Sequence, residues 1–139
     1  SANKGQPLAP IGQIASGGEM SRFLLALKTI IAEVDSTTTL LFDEIDVGVS
    51  GRISGSIATL LKSLSTHRQV FCVTHQPIVA AAADNHFSVI KFVENGITHS
   101  DVLHLREISE RQLELAHLAG GDFSKSKTYA AGLLDQYAA

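Results

Sequence analysis

One cysteine in 139 residues leaves no partner for an intramolecular disulfide. Cys72 lies inside an apolar run, so a buried thiol in a reducing cytoplasm is expected. No apolar stretch approaches the roughly 18 residues that a membrane-spanning helix needs, and no signal-peptide pattern opens the chain. There is no internal repeat and no low-complexity tract. With a net charge of −3 the chain exerts no global pull on nucleic acid. Any DNA contact must come from a local patch or from other parts of the protein.

Three chemical motifs are also missing. The phosphate-cradling pattern G-x-x-x-x-G-K-S/T occurs nowhere: Gly12 and Gly17 have its glycine spacing, but Gly18 and Glu19 follow. Gly121-Asp122-Phe123-Ser124-Lys125 lacks the second glycine. Without that loop and its lysine the chain cannot hold β- and γ-phosphates by the standard route. A serine-hydrolase elbow fails because Ile14 stands at the first glycine position before Ser16. His67, His86, His99, His104 and His117 show no metal-ligand spacing, and His99 and His104 fall on opposite faces of a predicted strand.

What is present is globular, since apolar residues make up 45% and charged ones 18%. Residues 1–139 read as one domain, with 1–6 a lead-in or expression remnant. Met20, Phe23, Leu24, Leu27, Ile30, Ile31 and Val34 recur at helical spacing. Ser16 is the natural N-cap, and Glu19 completes a capping box. A cap does not need two glycines behind it. Gly17 and Gly18 make sense if a ligand approaches the backbone, since bare N–H groups at a helix tip suit a phosphate.

The run Thr39-Leu40-Leu41-Phe42 ends abruptly in Asp43, Glu44 and, after Ile45, Asp46. Four such residues predict a strand buried on both faces. The carboxylates then fall at its carboxyl end, where open α/β sheets hold ligands. Asp43 and Glu44 point to opposite sides, so one can face a metal ion and the other an attacking water. The bland alternative is a strand running into an acidic turn.

Val47 to Gly51 is a glycine-bearing loop. Ile53, Ile57, Leu60, Leu61 and Leu64 then mark a second helix that Ser50 can cap. Gln69 to Thr74 reads as a second buried strand ending at His75, and Pro77 opens a short helix through Ala83. Strand, helix, strand implies a right-handed crossover and parallel pairing. Asp43, Glu44 and His75 should therefore meet on one edge. A core histidine is the common case, but there His75 can hydrogen-bond a γ-phosphate and fix the attacking water. Phe87 to Val93 and Ile97 to Leu105 flank Glu94-Asn95-Gly96, a hairpin signal. A helix follows from about Ser109, capped by Ser109 and Gln112 and stopped at Gly120-Gly121; a last one runs from about Ser126 to Tyr137.

The order Ala-Ser-Gly-Gly-Glu-Met-Ser-Arg (15–22), Leu-Leu-Phe-Asp-Glu-Ile-Asp (40–46) and Val-Thr-His-Gln-Pro (73–77) resembles the C-terminal lobe of an ABC-type ATPase head. Asp43 to Gly51 and Leu-Ala-Gly-Gly (118–121) are similar to the RecN family of bacterial SMC-like DNA repair proteins rather than to transporters. The alternatives are the head of another SMC-type protein, a transporter's nucleotide-binding domain, or a catalytically idle interaction module.

The resemblance implies an α/β fold: parallel strands with flanking helices, then a β-hairpin and two helices. It implies that Ser16, Gly17, Gly18 and Glu19 form the ABC signature. Asp43 becomes the Walker B aspartate supporting Mg²⁺, and Glu44 polarises the attacking water. Asp46, Gly48, Ser50 and Gly51 belong to the D-loop, and His75 is the switch histidine. Two departures stand out: Ala15 replaces the leucine common in ABC signatures, and Ser50 stands where many heads place a D-loop aspartate. The implied partners are an N-terminal Walker A lobe, a second head in an ATP-bridged homodimer, and DNA through the full-length protein. No membrane is implied; the location is cytoplasmic, nucleoid-associated during repair.

Overall fold

The computed structural model describes residues 7, 10, 15–31, 36–43 and 45–138. The chain divides between His75 and Gln76 into two compact units. In the first, helix α1 (Gly17–Ile30) starts at Ser16, whose extended backbone and hydroxyl form the predicted capping box with Glu19. Strand β1 (Thr39–Phe42) follows, then α2 (Gly51–Ser65) and β2 (Gln69–Cys72). β1 and β2 pair in parallel, Thr39 opposite Gln69 and Phe42 opposite Cys72. α1 packs on α2, and α2 on β2. Leu25, Leu40, Phe42, Ile57, Leu61 and Leu64 fill this core, each at most 8% exposed.

The expectation of strands buried on both faces is not met. Leu40 and Phe42 point inward while Leu41 is 70% exposed, and Phe71 and Val73 lie on the surface as well. Successive strand side chains alternate, so a second buried face needs a second covering layer. Among the described residues this sheet has two strands, and the outward side chains of Leu41, Phe71 and Val73 lack such a layer. Ser50 occupies the N-cap of α2, but its side chain makes no capping bond; its carbonyl accepts from the amides of Ile53 (2.9 Å) and Ser54 (3.0 Å).

The second unit opens with α3 (Pro77–Ala81), which has proline in its first turn. Strands β3 (His86–Glu94) and β4 (Ile97–Leu105) form an antiparallel hairpin with nine matched pairs. Asn95 (φ 52°) and Gly96 (φ 76°) make its two-residue turn, with both φ angles positive as the hairpin twist requires. His104 stacks on Phe87 and His99 on Phe92, on opposite faces.

Helices α4 (Ile108–Ala119) and α5 (Phe123–Tyr137) start earlier than Ser109 and Ser126. Glu107, not Ser109, caps α4: its carboxylate accepts from the Glu110 amide, and that of Glu110 from the amides of Arg106 (3.0 Å) and Glu107 (3.1 Å). Asp122 caps α5 through the Lys125 amide at 3.0 Å. Gly120 and Gly121 stop α4 at positive φ. Ala80, Ala81, Leu115, Ala116, Ala130 and Leu133 join α3, α4 and α5 in one core. Arg111 donates to the carbonyls of Ala81 (3.2 Å) and Ala83 (2.7 Å), which satisfies oxygens that the end of α3 leaves open.

Candidate functional site

The parallel ladder runs one step beyond β1 and β2, with the Val73 amide donating to the Phe42 carbonyl at 2.9 Å. Asp43 and residues 73–75 therefore leave the sheet side by side, on the edge that strand order predicts. Asp43 directly follows Phe42 and is exposed there. Glu44 lies outside the described residues. Ile45 to Gly48 form a turn, with Gly48 at φ 70° and no atom within 4 Å of where a side chain would start. The conformation, not crowding, calls for glycine at 48.

Asp46, which the resemblance assigns to the D-loop, lies within the Ile45–Gly48 turn. It is completely buried, at 0% exposure. The Thr74 hydroxyl donates to its Oδ2, and His75 Nδ1 lies 3.7 Å from its Oδ1. The His75 side chain itself is 62% exposed. Cys72, two residues before Thr74, is part-buried; burial, helped by the charges of Asp46 and Asp43, pushes its thiol up to about 12.

At the tip of α1, Ser16 is exposed and Gly18 buried. The Glu19 carboxylate accepts from the Ser16 amide (2.8 Å) and hydroxyl (2.9 Å), while the Glu19 amide donates to Ser16 Oγ at 3.3 Å. The Ser16 amide, then its hydroxyl, hold this carboxyl below its ordinary range. The Ser16 hydroxyl and the Ser16 and Glu19 amides are thus engaged within the capping box itself. Ser50 and Gly51 are both exposed at the start of α2.

Two contributors escape a reading of the motifs. Arg22, one turn beyond Gly18, donates to the carbonyls of Ile45 (3.3 Å) and Val47 (3.1 Å) and so fastens α1 to the turn. Thr74 grips Asp46. Both residues lie inside the quoted motifs, but a contact made more than 20 positions away leaves no local signal. Among the described residues no group of three or more His, Cys, Asp or Glu side chains could hold a metal ion. No described helix is long and apolar enough to cross a membrane.

Sequence comparison bears on what such a rim belongs to. Along its whole length the chain is 45% identical to the DNA repair protein RecN of Synechocystis, of which it covers 26%. This is a RecN-like sequence from end to end. RecN of Treponema pallidum is 44% identical over 94% of the chain and 22% of its own length; for Bacillus subtilis RecN the figures are 40%, 87% and 21%. The chain thus spans about a quarter of the length of the curated relatives it matches. Residues 18–81 match a family model described as "AAA domain, putative AbiEii toxin, Type IV TA system". That stretch runs from the α1 tip through the acidic rim to α3. A chain solved in work on ATP-driven dimerization and DNA stimulated activation of SMC ATPases superposes with a TM-score of 0.56. It is 24% identical, over 85% of this chain and 70% of its own length, and supports the α/β fold of this RecN-like chain.

Proposed function

We propose that this chain is the C-terminal lobe of a RecN-like ATPase head that acts in DNA double-strand-break repair. In this reading an N-terminal lobe, outside the chain, supplies the phosphate loop. Two heads then close on ATP, and hydrolysis releases them. The observation that carries the reading is the parallel register, which sets the acidic turn and the His75 segment on one rim. Phosphoryl transfer to water needs positioning and charge neutralisation more than covalent help, and such a rim suits that task.

Asp43 fits a Mg²⁺ site of the phosphate-assisted kind. Mg²⁺ is held by one or two carboxylates plus phosphate oxygens and water, not by a protein cage, and one exposed carboxylate at a strand end matches that donor set. When bound, the ion would offset phosphate charge. Glu44 is assigned the orientation of water, and His75 the last contact to the γ-phosphate side. Ser16, Gly17, Gly18 and Glu19 would face the nucleotide of the opposite head, and Gly48, Ser50 and Gly51 would line the seam. DNA contact falls to the full-length protein, given the chain's charge of −3. Its proposed place is the cytoplasm, at the nucleoid during repair.

The test uses the complete protein and this chain in parallel. The chain alone should not hydrolyse ATP above background. In the complete protein Glu44→Gln should slow turnover by roughly a hundredfold while retaining ATP and the head dimer. Ser16→Arg should abolish ATP-dependent dimerisation by placing bulk and charge at the seam. Undiminished dimerisation in the Ser16→Arg protein, or wild-type turnover in the Glu44→Gln protein, removes the corresponding assignment.

A further inference from the structure

We infer that Asp46 is a positioning residue for His75: its buried carboxylate holds the Nδ1 side of the ring, so that Nε2 alone faces the nucleotide. The inference rests on the reading of His75 as part of an ATPase site and adds a residue to it. A carboxylate removed from water is costly unless polar partners compensate. Asp46 is at 0% exposure, and its two oxygens meet different neighbours. Oδ2 receives the Thr74 hydroxyl, and Oδ1 lies 3.7 Å from His75 Nδ1. Thr74 and His75 are consecutive, so one carboxylate binds the first and faces the second.

A purely structural tie between the turn and the end of β2 would need Thr74 alone. The His75 ring is 62% exposed and gains no core packing. The Asp46 carboxylate lies within ion-pair distance of it. The partner of one imidazole nitrogen decides which nitrogen carries the proton and which way the ring turns. With Nδ1–H directed at Oδ1, Nε2 is the nitrogen left for a ligand. The 3.7 Å separation exceeds a hydrogen bond, and catalytic contacts commonly tighten when the ligand arrives. Thr74 limits how far the carboxylate can turn away, which keeps Oδ1 in place before closure.

The first arm of the test needs no activity and no variant. Imidazole ¹⁵N spectra of this chain at about pH 8 should show His75 as the Nδ1–H tautomer, although free histidine prefers Nε2–H. An Nε2–H tautomer overturns the inference. The second arm uses the complete protein. Asp46→Asn, which keeps the side chain's shape, should lower kcat for ATP roughly ten- to hundredfold with KM little changed. The same change in a His75→Ala background should have no further effect, because the residue acts through the ring. Asp46→Glu should recover part of the loss. An equal loss in both backgrounds makes Asp46 structural only and overturns the inference. A wild-type protein that hydrolyses no ATP would fail the ATPase reading instead, with the tautomer still deciding the Asp46–His75 pairing.

Discussion

Arg22 and Val47, 25 positions apart, meet where the Arg22 guanidinium donates to the Val47 carbonyl at 3.1 Å. The same nitrogen reaches the Ile45 carbonyl at 3.3 Å, so one side chain holds the residues on either side of the buried Asp46. A helix carrying the glycine-rich tip is thereby fastened to the loop that organises the acidic rim.

Arg22→Ala should release that turn. A hydrogen bond from a charged donor contributes about 1.5–3 kcal/mol, so amide exchange at Val49 should accelerate about tenfold or more. Val49 is the residue to watch, because its amide closes the turn onto the Asp46 carbonyl at 3.5 Å. Arg22→Lys should recover only part of the protection, since a tetrahedral ammonium on a shorter stem does not reproduce the planar nitrogen that donates to both carbonyls. Unchanged exchange at Val49 would mean that the turn holds itself.

At the hairpin the determinant is one backbone angle. Gly96 sits at φ 76° with open space around it, so a methyl group meets nothing. Gly96→Ala should nevertheless cost about 1–2 kcal/mol, all of it from the left-handed conformation. Amide exchange at Glu94 and Ile97 should rise first, since their pairing is next to the turn. Asn95→Gly, at φ 52°, should be tolerated.

Those two contacts mark where local sequence suffices and where it does not. The Ser16–Glu19 box and the Asn95-Gly96 turn are decided within four residues, and both form as their patterns predict. Glu107 displaced Ser109 as a cap because Glu110 reaches back to two amides at once, an arrangement that residue preference alone does not rank. Leu41 looked like core because its neighbours are apolar; whether a strand's second face is covered depends on layers that no window of the chain contains. Asp46 is the sharpest case. It is wholly buried, and the groups it meets, Thr74 and His75, lie 28 and 29 positions downstream. The rim was legible from strand order, and its internal wiring was not.

His86 predicts how the second unit responds to acid. It is 8% exposed, and its Nδ1 has no hydrogen-bond partner. Burial lowers its pKa below the ordinary value of 6.5, the Arg111 cation lowers it further, and Glu114 opposes both. Glu114 is itself tied to Ser88 at 3.0 Å. Above that ordinary value the folded and unfolded chains both carry neutral His86, and stability is fully present. As pH falls through it the unfolded chain takes up a proton first, so stability declines until the folded-state pKa is reached. Urea midpoints at about pH 8 and about pH 5 should show the loss, and His86→Gln should flatten it. A midpoint that rises on acidification would contradict the sign.

Cys72 offers a check on the acidic rim that requires no nucleotide. Its thiol is pushed up to about 12 from an ordinary value near 9, by burial first and then by Asp46 and Asp43. At about pH 8 the thiolate fraction is then about 10⁻⁴ in the folded chain against about 10⁻¹ when unfolded. Alkylation by iodoacetamide should therefore be about a thousandfold slower in the native protein than in urea. Asp46→Asn removes one of the two charges and should speed native labelling while leaving the urea rate unchanged. Equal native rates in wild type and variant would detach Cys72 from the Asp46 charge and leave burial and Asp43 as the sources of its protection.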